Sequence, residues 1–312
     1  MIMGSWKKGF YALIAFFVPL IAVVTPYDIE ITNYLRAHSI VGFREFMAQT
    51  IFEGDPPGGG DPVVIFIIIS LLLYIIGNLR KAPEVIRRWR PFYGFILATS
   101  LTGSVVMVRL LKFFIGRARP RLVFGEAGLP FTNWYEIGPQ AITKSFYHGS
   151  FPSGHTASVM CLVCLLYIYS VRNGRKEREW VKRFFLAIPI LAYAALMALA
   201  RTMSYAHWAT DCLFSIVAVW AIAHLFFYAV LRVPEVMQRT GGGLPAPPKL
   251  WELRFSLYIA LTAAGVIAFG RGSAELYGGW GMRSAIMAGL GFIIAIAAFR
   301  RGRLLRRRAL GL

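Results

Sequence analysis

The chain has 312 residues, 57% of them hydrophobic and only 16% charged, with a formal net charge of +19 and a mean hydropathy of +0.58. A soluble domain carries roughly 25% charged residues, so this balance excludes an ordinary water-soluble domain. It points to a polytopic membrane protein whose spans are helices, because each span must satisfy its own backbone in lipid. The basic excess does not read as a nucleic-acid surface, since the Lys and Arg cluster in loops between apolar runs, where they act as topology signals and as partners of anionic headgroups.

In chain order, eight apolar runs approach the ~20 residues that a span requires: 9–25, 63–79, 92–115, 153–171, 184–201, 207–231, 253–270 and 282–299. The expected fold class is all-α, a helical membrane bundle with a six-helix core and two extra C-terminal transmembrane helices. Lys7 and Lys8 precede the first run as in a signal peptide. No small-residue cleavage site follows, so a retained span is expected. The spacing of Ile31, Tyr34, Leu35, Ile40, Phe43 and Phe46 predicts one helix over about 29–52 lying in the membrane interface. Glu53 to Pro62 reads as an irregular turn whose acids serve turn chemistry rather than a cation. The 116–152 loop carries Trp134, Tyr135, Phe146 and Tyr147, either as a lid that admits a lipid or as plain aromatic anchors.

The chain divides into a core over 1–231, a Gly/Pro-rich flexible linker over 232–252, and a two-span hairpin with a basic tail over 253–312. Cys161, Cys164 and Cys212 lie inside apolar runs, which predicts buried packing rather than redox chemistry or disulfides. The cations concentrate in 7–8, 80–90, 172–183, 232–254 and 300–308. The positive-inside rule then puts both termini in the cytoplasm and the other ends of the spans outside. In a bacterium this means an inner-membrane protein with those ends in the periplasm.

Three polar stretches sit at those outer ends. In the first, Arg109, Lys112 and Arg119 would share a face if the helix continued past Gly116. Lys112 and Arg119 are candidates to hold a phosphate dianion, whereas Arg109 and Arg117 are expected to snorkel to headgroups. In the second, Ser153 of Pro152-Ser153-Gly154-His155 is a natural N-cap, and a helix N-terminus favours anions. Gly154 permits close backbone approach, and His155 offers a titratable proton for a general acid. In the third, His207 and Asp211 lie four apart, so on a helix the carboxylate could fix the imidazole tautomer and leave a nucleophilic nitrogen. Arg201 closes the preceding run as a third clamp.

The pattern Lys112-x6-Arg119-Pro120, Pro152-Ser153-Gly154-His155 and Arg201-x5-His207-x3-Asp211 resembles the type-2 phosphatidic acid phosphatase superfamily over about 60–231. The resemblance implies a six-helix core in which His207 forms a phosphohistidine, Asp211 orients it, and His155 protonates the leaving oxygen. It also implies that Lys112, Arg119, Arg201, Ser153 and the Gly154 amide bind phosphoryl oxygens. No metal or other cofactor is expected, because the cations supply the charge stabilisation. Ala200 stands where the family pattern usually has Ser, which removes one hydroxyl. The expected partners are a lipid phosphate substrate and the surrounding lipids, with no nucleic acid and no obligate protein partner. The expected reaction is dephosphorylation of a lipid phosphate or diphosphate at the periplasmic face. The basic Arg117, Arg121 and Lys144 lean this toward lipid A, ahead of undecaprenyl diphosphate, phosphatidylglycerol phosphate or phosphatidic acid. A phosphotransferase using the same phosphohistidine and a non-catalytic anionic-lipid binder are the alternatives. His148 is a candidate to touch substrate, while His38 and His224 are expected to be structural.

Overall fold

The computed structural model describes residues 5–169, 179–241, 247–279 and 281–312. The basic stretch 172–178 and the Gly/Pro centre of the linker, 242–246, lie outside the described residues. The described residues form helices and turns with no strand. Among the described residues, six helices are long and apolar enough to cross a membrane, and two further apolar helices, Asp61–Gly77 and Gly154–Tyr167, are shorter there. Each of the eight apolar runs thus falls on a helix among the described residues.

Helix α1 (Ser5–Val24) continues through a tight turn at Thr25–Tyr27 into α2 (Asp28–Ala37). Pro26 is tolerated there at the start of a turn. The single interfacial helix expected over 29–52 is instead two helices, α2 and α3 (Val41–Ala48). His38, in a conformation outside the helical region, and extended Ile40 break it. Next come α4 (Asp61–Gly77) and α5 (Glu84–Thr99), which passes through a π-helical stretch, Ser100–Val106, into α6 (Met107–Ile115). One-turn helices α7 (Pro120–Val123) and α8 (Ser145–His148) punctuate the long loop before α9 (Gly154–Met160). The chain then forms α10 (Glu179–Met203), α11 (Ala209–Leu225), α12 (Val233–Gly241), α13 (Trp251–Tyr277) and α14 (Met282–Leu310).

The core lies where α5, α9, α10 and α11 meet. Ala98, Ala157, Ala194, Ala200 and Ala223 are fully buried there, as expected where close backbone approach, not a hydrophobic driving force, holds helices together in lipid. Phe95 fills the centre, edge-on to Tyr167 and Phe227 at 5.7 and 5.3 Å. Cys161, Cys164 and Cys212 are free and buried. His224 pairs with the Tyr167 hydroxyl at 3.0 Å and the Trp6 carbonyl at 2.8 Å, a structural arrangement. The C-terminal hairpin packs α13 onto α5 and α6. It closes on itself through Gly265, Gly272 and Gly291, where an added Cβ would lie 2.5–2.6 Å from backbone atoms of the facing helix.

Candidate active site

Helix α6 stops at Gly116, whose φ of 63° closes a left-handed cap with its N–H on the Lys112 carbonyl at 3.0 Å. The turn is enforced by packing, because a Cβ on Gly116 would lie 2.0 Å from the Ala141 nitrogen. Gly116→Ala should therefore cost about 1–3 kcal/mol of stability through overpacking and left-handed strain. Thermal unfolding of the detergent-solubilised protein would measure this, and an unchanged Tm would refute it. Beyond Gly116 the backbone is extended through Arg119 (ψ 151°), as a residue before proline prefers. The helical register that would align Arg119 with Lys112 is therefore lost.

Even so, the three stretches converge. A cavity of about 470 Å³ is lined at its polar end by Lys112, Arg119, Gly154, His155, Arg201 and His207. Arg109 also lines it, stacked over the Phe146 and Tyr147 rings at 5.2 Å, rather than reaching for headgroups. Val63, Val105, Val159 and Met197 form an apolar wall of the same cavity. Arg201 Nε is buried and has no partner among the described residues. A buried donor left without an acceptor calls for a ligand or water.

The Lys112 ammonium donates to the Gly149 carbonyl at 2.5 Å, and Arg119 donates to the His148 and Tyr147 carbonyls at 3.0 and 3.2 Å. His148 thus meets the site through its backbone. Ser153 caps α9, paired with the Thr156 hydroxyl at 3.0 Å, and is fully buried. Gly154 and His155 reach the cavity wall, but Ser153 is not among its lining residues.

His207 lies in the loop between α10 and α11, 2% exposed. Its Nδ1 is 2.7 Å from the Ser150 carbonyl but 3.7 Å from Asp211 Oδ2. A carbonyl can only accept, so Nδ1 carries the proton and Nε2 keeps its lone pair. The direct orienting partner is thus a backbone oxygen. Asp211 acts from behind it, accepting from the Ser150 hydroxyl and from the Trp208 N–H at 2.9 Å. Burial, above all, pushes the His207 pKa well below its ordinary value. The nearby Asp211 carboxylate opposes this, and the Lys112 and Arg119 charges add to it. A depressed pKa favours the neutral ring, whose Nε2 then offers a lone pair.

The largest departure from the sequence reading is Arg117. It does not snorkel; it is 1% exposed and ion-paired to Asp28 at 2.8 Å and to Asp211 at 2.7 Å. Sequence reasoning missed Asp28, Ser150 and Thr210, which complete this buried network. Nothing in the spacing marks Asp28, which lies 183 residues from Asp211 in the chain. The acidic turn behaves as turn chemistry: Asp61 accepts from the Thr50 hydroxyl at 2.7 Å and the Gly58 N–H at 2.8 Å. Trp134 of the long loop bonds the Thr25 hydroxyl at 3.0 Å and stacks on Phe151, which makes it an anchor in the protein.

The PAP2 superfamily model matches residues 93–235. The match starts later than the resemblance at 60 suggested and leaves the C-terminal hairpin outside. The chain is also 26% identical to diacylglycerol pyrophosphate phosphatase 1 of Saccharomyces cerevisiae over 183 residues, 53% of this chain and 61% of that protein. The chain thus spans about three fifths of that relative's length. No solved structure matches it.

Proposed function

We propose that the chain is a membrane enzyme that removes phosphate from a lipid phosphate or diphosphate, a reading supported by the match of residues 93–235 to the PAP2 superfamily model. The observation that carries this reading is the single cavity in which four cations and two imidazoles meet an apolar wall. A phosphate on an acyl or prenyl chain is the ligand that satisfies both ends. In the proposed reaction, Lys112, Arg119, Arg201 and the Gly154 amide bind the phosphoryl oxygens and stabilise charge that spreads over them in a loose transition state. The His207 Nε2 lone pair forms a bond to phosphorus as the bond to the lipid oxygen breaks, and that oxygen takes a proton from His155. Water then attacks the phosphohistidine, His155 takes back a proton, and inorganic phosphate leaves with His207 neutral again. Ser150 and Asp211 hold the imidazole throughout, and Ser153 acts by capping α9. The charge stabilisation is supplied by side chains of this chain, so the reaction is proposed to be metal-independent.

The basic segments 80–90, 232–254 and 300–308 support a topology with cytoplasmic termini and a site on the outer face, which in a bacterium is the periplasmic side of the inner membrane. Of the three basic residues that lean the sequence toward lipid A, Arg117 is withdrawn by its pairing with Asp28 and Asp211. The name of the yeast relative adds diacylglycerol pyrophosphate to the candidates. Phosphate release by the reconstituted protein would be measured on phosphatidic acid, diacylglycerol pyrophosphate, phosphatidylglycerol phosphate, undecaprenyl diphosphate and lipid A, with and without EDTA. The expected result is EDTA-insensitive release from at least one of them. No release from any lipid by folded protein would refute the hydrolase, and a product requiring a second lipid acceptor would identify a phosphotransferase.

A further inference from the structure

The segment Phe146 to Ser150 presents five successive carbonyls to the side chains of the site. The Phe146 oxygen accepts from Arg109 at 2.9 Å, and the Tyr147 and His148 oxygens accept from Arg119 at 3.2 and 3.0 Å. The Gly149 oxygen accepts from Lys112 at 2.5 Å and the Ser150 oxygen from His207 at 2.7 Å. Each of these donors lines the cavity. One stretch of backbone therefore sets the position of three cations and of the imidazole tautomer at once. A shift of this stretch would move all of them together.

Its far end is held from outside the matched region. The Phe113 carbonyl accepts from the Ile142 N–H at 2.7 Å and the Ser145 hydroxyl at 3.0 Å. From the C-terminal hairpin, Arg271 on α13 donates to the Thr143 and Ile142 carbonyls at 2.8 and 3.4 Å. Arg271 is itself aimed by Glu275 at 2.5 Å, whose second oxygen accepts from Ser284 of α14 at 3.1 Å. Both helices of the hairpin thus converge on one guanidinium that grips the root of the carbonyl segment.

We infer that the C-terminal hairpin is a positioning element for the site: Arg271 fixes the backbone of 142–150, and through it the side chains of Arg109, Lys112, Arg119 and His207. Arg271 is not among the residues that line the cavity, so it is a positioning residue. The inference rests on the hydrolase reading only for its kinetic arm.

The test uses the full-length protein carrying Arg271→Ala. Hydrogen exchange is followed by mass spectrometry without substrate, and kcat and KM are measured separately on the preferred lipid phosphate. The expected result is faster exchange confined to about 138–150, unchanged elsewhere, with kcat lowered roughly tenfold, because small misplacements of reacting groups carry large rate penalties, and with KM little changed. Wild-type exchange over 138–150, faster exchange spread over the whole chain, or a wild-type kcat would each overturn it. If the wild-type protein itself hydrolyses no lipid phosphate, the hydrolase reading fails and the exchange result alone decides the positioning role.

Discussion

Arg117→Met is expected to lower stability by about 3–5 kcal/mol, the usual cost of removing one partner from a buried ion pair. The guanidinium is almost fully buried and holds two carboxylates from distant parts of the chain, Asp28 of α2 and Asp211 of α11. It also donates to the Thr132 carbonyl at 2.7 Å and the Thr210 hydroxyl at 2.9 Å. The Phe131 and Trp208 rings lie 5.2 Å from its carbon. Methionine fills much of the same space but leaves two buried carboxylates facing each other without a cation. Lysine would not restore the arrangement, because one ammonium cannot reproduce the planar fork that bridges both. Thermal unfolding in detergent measures the effect. If Arg117 served only to reach headgroups, the substitution would leave Tm unchanged, and that result would sink the network account.

His207→Ala should abolish turnover while leaving the fold intact, with kcat falling at least ~10⁴-fold, the scale seen when a nucleophile or its base is removed. The side chain makes one direct hydrogen bond, to the Ser150 carbonyl, and its loss leaves that oxygen unpaired at a cost of about 1–3 kcal/mol. The variant should therefore remain folded, and size-exclusion and Tm measurements verify this. A rapid acid-free quench of wild-type protein mixed with radiolabelled lipid phosphate should trap label on the chain, and the variant should trap none. Label retained by the variant would place the nucleophile elsewhere. Full activity in the variant would end the phosphohistidine proposal altogether.

Much of this molecule is legible in one dimension. Composition and run length determined an all-helical membrane bundle, because lipid allows an isolated span few alternatives to a helix. Lys112, Arg119, His155, Arg201 and His207 could be singled out because a charged or titratable group at the end of an apolar run is costly and stands out against its neighbours. Where local rules were enough, as at Gly116 before an extended Arg119-Pro120 or at the Ser153 cap, the sequence also indicated where helices would stop and start.

What only the tertiary structure decided was which partner each polar group takes. Arg117 and Arg119 are two residues apart and chemically identical, yet one is buried between Asp28 and Asp211 and the other lines the cavity. The His207 ring is nearest a backbone carbonyl rather than the carboxylate four residues on. The hairpin, which has no motif of its own, bonds the loop just before the site through Arg271 on α13. Such pairings depend on through-space distances between segments far apart in sequence. Backbone carbonyls, the acceptors that position this site, are present at every residue, so no residue code can mark the five that matter.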